Sequence, residues 1–140
     1  MYHKTQVNLT YNSNRIEGSR LTEEQTRSIF ITRTIGFKDQ EAVPVDDIIE
    51  TSNHFVAFDN LLDTLQQPLS SETIKTFHRI LKSGTADALN PWFALGDWKK
   101  LPNEVGGKRT TNPENVENEI EQLQEWYLNR GNTSFETIVD

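Results

Sequence analysis

Tyr11-Asn12-Ser13-Asn14-Arg15-Ile16-Glu17-Gly18 is the stretch whose conformation settles how the rest of the chain is arranged. On a helix, the Ser13 hydroxyl and the Glu17 carboxylate lie one turn apart on one face. Gly18 supplies the left-handed backbone that closes a last turn, so Glu17 projects from a helix C-terminus. A carboxylate there opposes the negative end of the helix dipole and calls for a cation from elsewhere.

Around this stretch, 140 residues make one domain with a single core. The chain is 34% hydrophobic and 25% charged, too apolar and aromatic for a disordered segment. A net charge of -7 argues against general binding to nucleic acid or to anionic membranes. Cysteine is absent, which excludes disulfide and thiolate chemistry and fits a reducing compartment. With no apolar run of spanning length and no signal-peptide pattern, the expected location is cytoplasmic.

Helix signals become regular after the opening stretch. Thr22-Glu23-Glu24-Gln25 reads as a capping box, followed by Ile29, Phe30 and Ile31, with Gly36 as the expected stop. A longer helix is expected after Pro44, presenting Ile48, Phe55, Phe58, Leu62 and Leu65 and ending before Pro68. Ser70 caps another, with Leu69 stapled against Ile74, a stripe of Phe77 and Leu81, and Gly84 beyond. His54 and His78 fall inside these helices beside apolar residues, and His3 lies at an end expected to fray. None has zinc-ligand spacing or a catalytic-triad neighbour, so all three read as structural histidines, with His54 and His78 hydrogen-bonding at helix contacts.

Trp92 to Lys108 breaks the helical pattern, and its proline, paired glycines and aromatics indicate an extended loop or small hairpin. Gly106-Gly107 allows a ligand to approach the backbone closely, and Lys99, Lys100, Lys108 and Arg109 add positive charge to an acidic chain. Asn112 and Pro113 then start a helix bearing Val116, Ile120, Leu123 and Tyr127, expected to end at Gly131. Its Glu114, Glu117, Glu119, Glu121 and Glu125 form a solvated face rather than a metal site. Thr133-Ser134-Phe135-Glu136 is a further capping box, and the sequence stops about one turn later.

Ser13-Asn14-Arg15-Ile16-Glu17-Gly18 resembles the inhibitory motif of the Fic family, whose members transfer AMP from ATP to a hydroxyl side chain of another protein. Ile49-Glu50-Thr51-Ser52-Asn53-His54-Phe55 with Ala57-Phe58-Asp59, and Phe77-His78-Arg79-Ile80-Leu81, are similar to two of the family's helices. Gly96-Asp97-Trp98-Lys99-Lys100 with Asn103-Glu104-Val105-Gly106-Gly107 looks like its flap, the hairpin that flanks the nucleotide and holds the target in extended form. The resemblance implies a mainly α fold, a Fic-like helical bundle with one small β-hairpin. Residues 1-20 would be an inhibitory helix segment and 21-140 the N-terminal portion of the domain. Alternation of Val7, Leu9 and Tyr11 with polar residues reads locally as a strand; the resemblance implies a helix there.

The same resemblance implies the site. Ser13, Glu17 and Gly18 would be inhibitory, with Glu17 also near the nucleotide beside Val105, Gly106, Gly107 and Lys108. Lys99, Lys100, Leu101, Pro102, Asn103 and Val105 would form the target-binding flap. ATP and magnesium are the implied cofactors, and the implied partner is a protein bearing a Ser, Thr or Tyr hydroxyl; a homo-oligomer is allowed. The family's signature, His-X-Phe-X-(Asp or Glu)-Gly-Asn-Gly-Arg, is absent, so the expectation is a chain truncated before its catalytic motif and inactive alone. The alternative is a noncatalytic helical interaction module.

Overall fold

The computed structural model describes residues 2–36 and 42–129. Its order is α1 (Tyr2–Ile16), α2 (Glu23–Thr32), α3 (Val45–Thr64), α4 (Ser71–Lys82), a 3-10 turn (Asp87–Leu89), β1 (Glu104–Val105), β2 (Lys108–Arg109) and α5 (Pro113–Asn129). The fold is mainly α with one two-stranded antiparallel sheet. The helix implied for the first segment therefore forms, against the local alternation of Val7, Leu9 and Tyr11. Alternation lost because the same residues also place Gln6, Val7 and Thr10 on one helical face, and all three are buried.

The side-chain caps read at Thr22 and Ser70 are present, while Asn112 accepts from Asn115 N at 2.9 Å through its main-chain carbonyl and its side chain caps nothing among the described residues. Thr22 accepts from the Gln25 amide at 3.1 Å while Gln25 Oε1 accepts from the Thr22 amide at 2.9 Å. Ser70 accepts from the Thr73 amide at 3.2 Å. α2, however, stops at Thr32 with Arg33 left-handed at φ 53°, three residues before the expected Gly36. That early exit turns Ile35 back against the core, and Gly36 O accepts from Gln25 Nε2 at 3.0 Å. Leu65 lies beyond the helical residues of α3 and is 61% exposed, so the apolar face ends earlier than its spacing indicates. The capping box at Thr133 and the stop at Gly131 lie outside the described residues.

Val7, Leu21, Ile29 and Phe55 form the core, with Phe30, Ile35, Val43 and Ile48 packed on it. The Phe30 and Phe55 rings meet at 4.8 Å in a tilted pair, a favourable quadrupole arrangement. His3 packs its ring 5.3 Å from that of Phe30, so the end expected to fray is tied down. On the other side of α3, Lys82 Nζ pairs with Glu50 at 2.7 Å, and Asn53 Nδ2 donates to Leu81 O and Ser83 O, satisfying carbonyls at the C-terminus of α4. α4 and α5 bury no residue fully, although both carry the apolar stripes that their spacing demands.

His54 hydrogen-bonds at a helix contact as expected, its Nδ1 3.0 Å from Thr10 Oγ1, whereas His78 Nδ1 accepts from the Gly96 amide of the following loop at 3.2 Å. Burial pushes both imidazoles below their ordinary value of 6.5, with the Lys82 charge adding to the effect at His78. Below pH 6.5 the unfolded chain takes up protons that the folded chain refuses, so stability falls as pH drops from that value. The urea midpoint is expected to be lower at pH 5.5 than at pH 7.5, and His54→Gln to flatten part of that slope. A midpoint independent of pH across this range would contradict the burial of both rings.

Candidate functional site

The end of α1 is built by backbone hydrogen bonds. Ser19 N donates to Asn14 O at 2.9 Å and Gly18 N to Arg15 O at 3.2 Å, the paired closure that a left-handed residue permits, and Gly18 has φ 94°. Glu17 is thus the C-cap residue. Its carboxylate is exposed, with no ion pair among the described residues, so the cation that its position calls for is not supplied by them. The Ser13 main-chain carbonyl accepts from Glu17 N at 3.3 Å, while no hydrogen bond joins the Ser13 hydroxyl to the Glu17 carboxylate. Arg15, two residues before Glu17, donates instead to Ser19 O at 3.4 Å.

The hairpin is the second part. Glu104 pairs with Arg109 and Val105 with Lys108. Gly106 and Gly107, at φ 58° and 75°, form a two-residue turn whose two positive φ values match the twist of the strands. An added Cβ would meet nothing within 4 Å at either glycine, so the tip stands open. Leu101, Pro102, Val105 and Lys108 are exposed, and so is Lys100. Lys99 is committed inside the loop: Nζ donates to Asn103 Oδ1 at 2.7 Å and also to Thr110 Oγ1, while Thr110 N donates to Asn103 O at 3.1 Å. Arg109 Nε lies 3.7 Å from Glu104 across the strands, an exposed pair of little energetic weight.

Sequence reasoning missed what holds this hairpin to the bundle. Lys75, His78 and Arg79 occupy one face of α4 and all engage the start of the flap. Lys75 Nζ pairs with Asp97 at 3.0 Å and lies 4.9 Å from the Trp98 ring centre. His78 accepts from Gly96 N, and Arg79 Nη2 donates to Gly96 O at 3.4 Å. The hydrogen bond from Lys75, then the Trp98 amide, holds the Asp97 carboxyl below its usual range, and Asp97 in turn raises Lys75. Trp98 Nε1 is buried with no hydrogen-bond partner among the described residues. The signal that the sequence carries is the i, i+3, i+4 spacing of these three nitrogen-bearing side chains.

Glu17 belongs to the α1–α3 side of the molecule, and the hairpin is anchored on α4. Between α4 and α5 opens an apolar groove of about 160 Å³ lined by Leu69, Ile74, Ile120, Leu123, Trp126 and Tyr127. Glu114, Glu117, Glu119, Glu121 and Glu125 are exposed along α5, as their reading as a solvated face requires.

No family model matches the sequence, and no curated protein matches it. Among solved structures, the chain is similar to a Fic domain-containing signaling protein from Bacteroides thetaiotaomicron VPI-5482, at TM-score 0.77 and 23% sequence identity. The likeness covers 94% of this chain and 50% of that one, so the chain spans about half the length of the structure it matches. The fold is that of a Fic domain, as the residues implied.

Gly96 separates steric from conformational demands on glycine in this loop. At φ 71°, its missing Cβ would lie 2.6 Å from Arg79 Nε and 2.9 Å from Arg79 Cβ, whereas Gly106 has open space. Gly106→Ala is expected to cost about 1 kcal/mol, the left-handed backbone penalty alone. Gly96→Ala is expected to cost more, because Arg79 must also move. Urea titration of both variants checks this, and equal costs would mean that Arg79 does not close over Gly96.

Proposed function

We propose that this chain is the regulatory and target-binding half of a protein adenylyltransferase, restrained by Glu17. The observation that carries the reading is the placement of Glu17: C-cap of a helix docked on a Fic-type bundle, carboxylate exposed, and no cation provided by the described residues. An arginine from the family signature, in a segment beyond this chain, would complete the pair. That arginine would otherwise orient the ATP γ-phosphate; once it is engaged by Glu17, the α-phosphate is out of line for attack.

In the reaction itself, the target hydroxyl oxygen bonds to the α-phosphorus, the bond to the bridging oxygen breaks, and pyrophosphate leaves. The hydroxyl proton passes to the base of the signature, which lies outside this sequence. What these residues contribute is placement. The exposed strands Glu104–Val105 and Lys108–Arg109 offer main-chain donors and acceptors to an extended segment of the target, a mode that reads shape more than sequence. The open tip at Gly106 and Gly107, with exposed Lys108 beside it, suits the approach of an anionic nucleotide. Magnesium is not accommodated in the same way: no three His, Asp or Glu side chains converge among the described residues. Its ligand would belong to the segment carrying the signature.

A second reading, a noncatalytic helical module, draws on the apolar groove between α4 and α5 and on exposed Trp126, Leu123 and Tyr127. In the first reading the same surface would pack against the segment that carries the signature.

In the full-length protein, Glu17→Gly is expected to raise incorporation of AMP from ATP labelled at the α-phosphate by roughly tenfold or more, the scale on which misplaced electrostatic groups act. Unchanged labelling, with ATP still bound, would remove Glu17 from any inhibitory role. Absence of labelling in both proteins under all target conditions would favour the module.

A further inference from the structure

The face that α1 turns toward α3 is mostly polar. Gln6, Thr10 and Asn14 recur every four residues, and each reaches across. Gln6 Nε2 donates to Phe55 O at 3.3 Å and to Asp59 Oδ1 at 3.2 Å. Thr10 Oγ1 and His54 Nδ1 share a hydrogen bond at 3.0 Å, and Asn14 Nδ2 donates to Thr51 Oγ1 at 2.9 Å. The partners descend along α3 as the donors ascend α1, so the helices run antiparallel. Gln6, Thr10 and Thr51 are all buried to within 1% of full enclosure. Val7 is the one fully buried apolar side chain of α1 among the described residues, while Leu9 and Ile16 are exposed.

An apolar seam tolerates sliding, because one methyl contact replaces another. A buried hydrogen-bond ladder does not, since any displacement strands donors and acceptors away from water. We infer that Gln6, Thr10 and Asn14 are positioning residues whose bonds to Asp59, His54 and Thr51 fix the axial register of α1, and with it the location of the Glu17 carboxylate. The functional consequence rests on the inhibitory reading of Glu17; the register itself does not. A slip of one turn moves Glu17 by about 5.4 Å, more than an ion pair spans. The ladder thus makes inhibition all-or-none: α1 is either seated with Glu17 in reach of its cation or displaced beyond it.

Because the sequence has no cysteine, Ile16→Cys with Leu65→Cys takes a unique pair of spin labels at positions 83% and 61% exposed, and their separation reports the register within the intact chain. The otherwise unaltered ladder is expected to give one narrow distance distribution. Replacing the pair by Asn14→Leu and Thr51→Val is expected to add a second population displaced by about one helical turn, roughly 5 Å, with helix content by circular dichroism retained. The exchange Asn14→Thr with Thr51→Asn keeps a donor opposite an acceptor and is expected to restore the single distribution. An unshifted single distribution for the apolar pair overturns the inference, and so does a failure of the exchange to restore it. If the apolar pair loses its helices, Thr10→Val is the replacement variant, judged by the same criterion. In the full-length protein the apolar pair is expected to raise AMP incorporation as Glu17→Gly does. A shifted distance with no gain from either change sinks the inhibitory reading alone. A gain from Glu17→Gly without one from the shifted ladder sinks the link between register and inhibition.

Discussion

Burying Gln6, Thr10 and Thr51 obliges each to find a partner, and the antiparallel seating of α1 on α3 is the arrangement in which all of them do. Much else follows from that requirement. Val7 is carried onto Leu21, Ile29 and Phe55, so the small core closes at the same seam that satisfies the polar groups. Arg20 N then donates to Asp47 Oδ2 at 2.7 Å, pinning the turn after Glu17 to the N-terminus of α3. Glu17 is held by neighbours on both sides while its carboxylate remains exposed.

α3 is shared between the two parts of the candidate site. One face receives α1, and another holds α4 through Lys82–Glu50 and the Asn53 bonds to the end of α4. α4 in turn fastens the flap through Lys75, His78 and Arg79. The Glu17 carboxylate and the hairpin are therefore positioned independently, by different faces of one helix pair. This separation matters physically: a change in the seating of α1 moves Glu17 without disturbing the anchor of the hairpin.

Much of the secondary structure was legible because caps and turns are local chemistry. Thr22 with Gln25, Ser70, Gly18 and the Gly106-Gly107 pair each act within a few residues, and the structure places each as the sequence implied. Failures came where the deciding partner was distant. Arg33 ends α2 because Ile35 is drawn to the core, and neither fact is visible in the segment itself. His3 is held by the ring of Phe30, which lies in another helix.

The sequence by itself determined the helical class, most element ends, the glycine turn of the hairpin and the position of Glu17 at a helix terminus. Those depend on backbone propensity, capping and spacing, which operate over one or two turns. Only the tertiary structure decided that the polar residues of α1 face α3 and that α4 carries the base of the hairpin. Each of these rests on pairings between residues far apart in the chain, such as Gln6 with Asp59 or His78 with Gly96, and no local rule contains them.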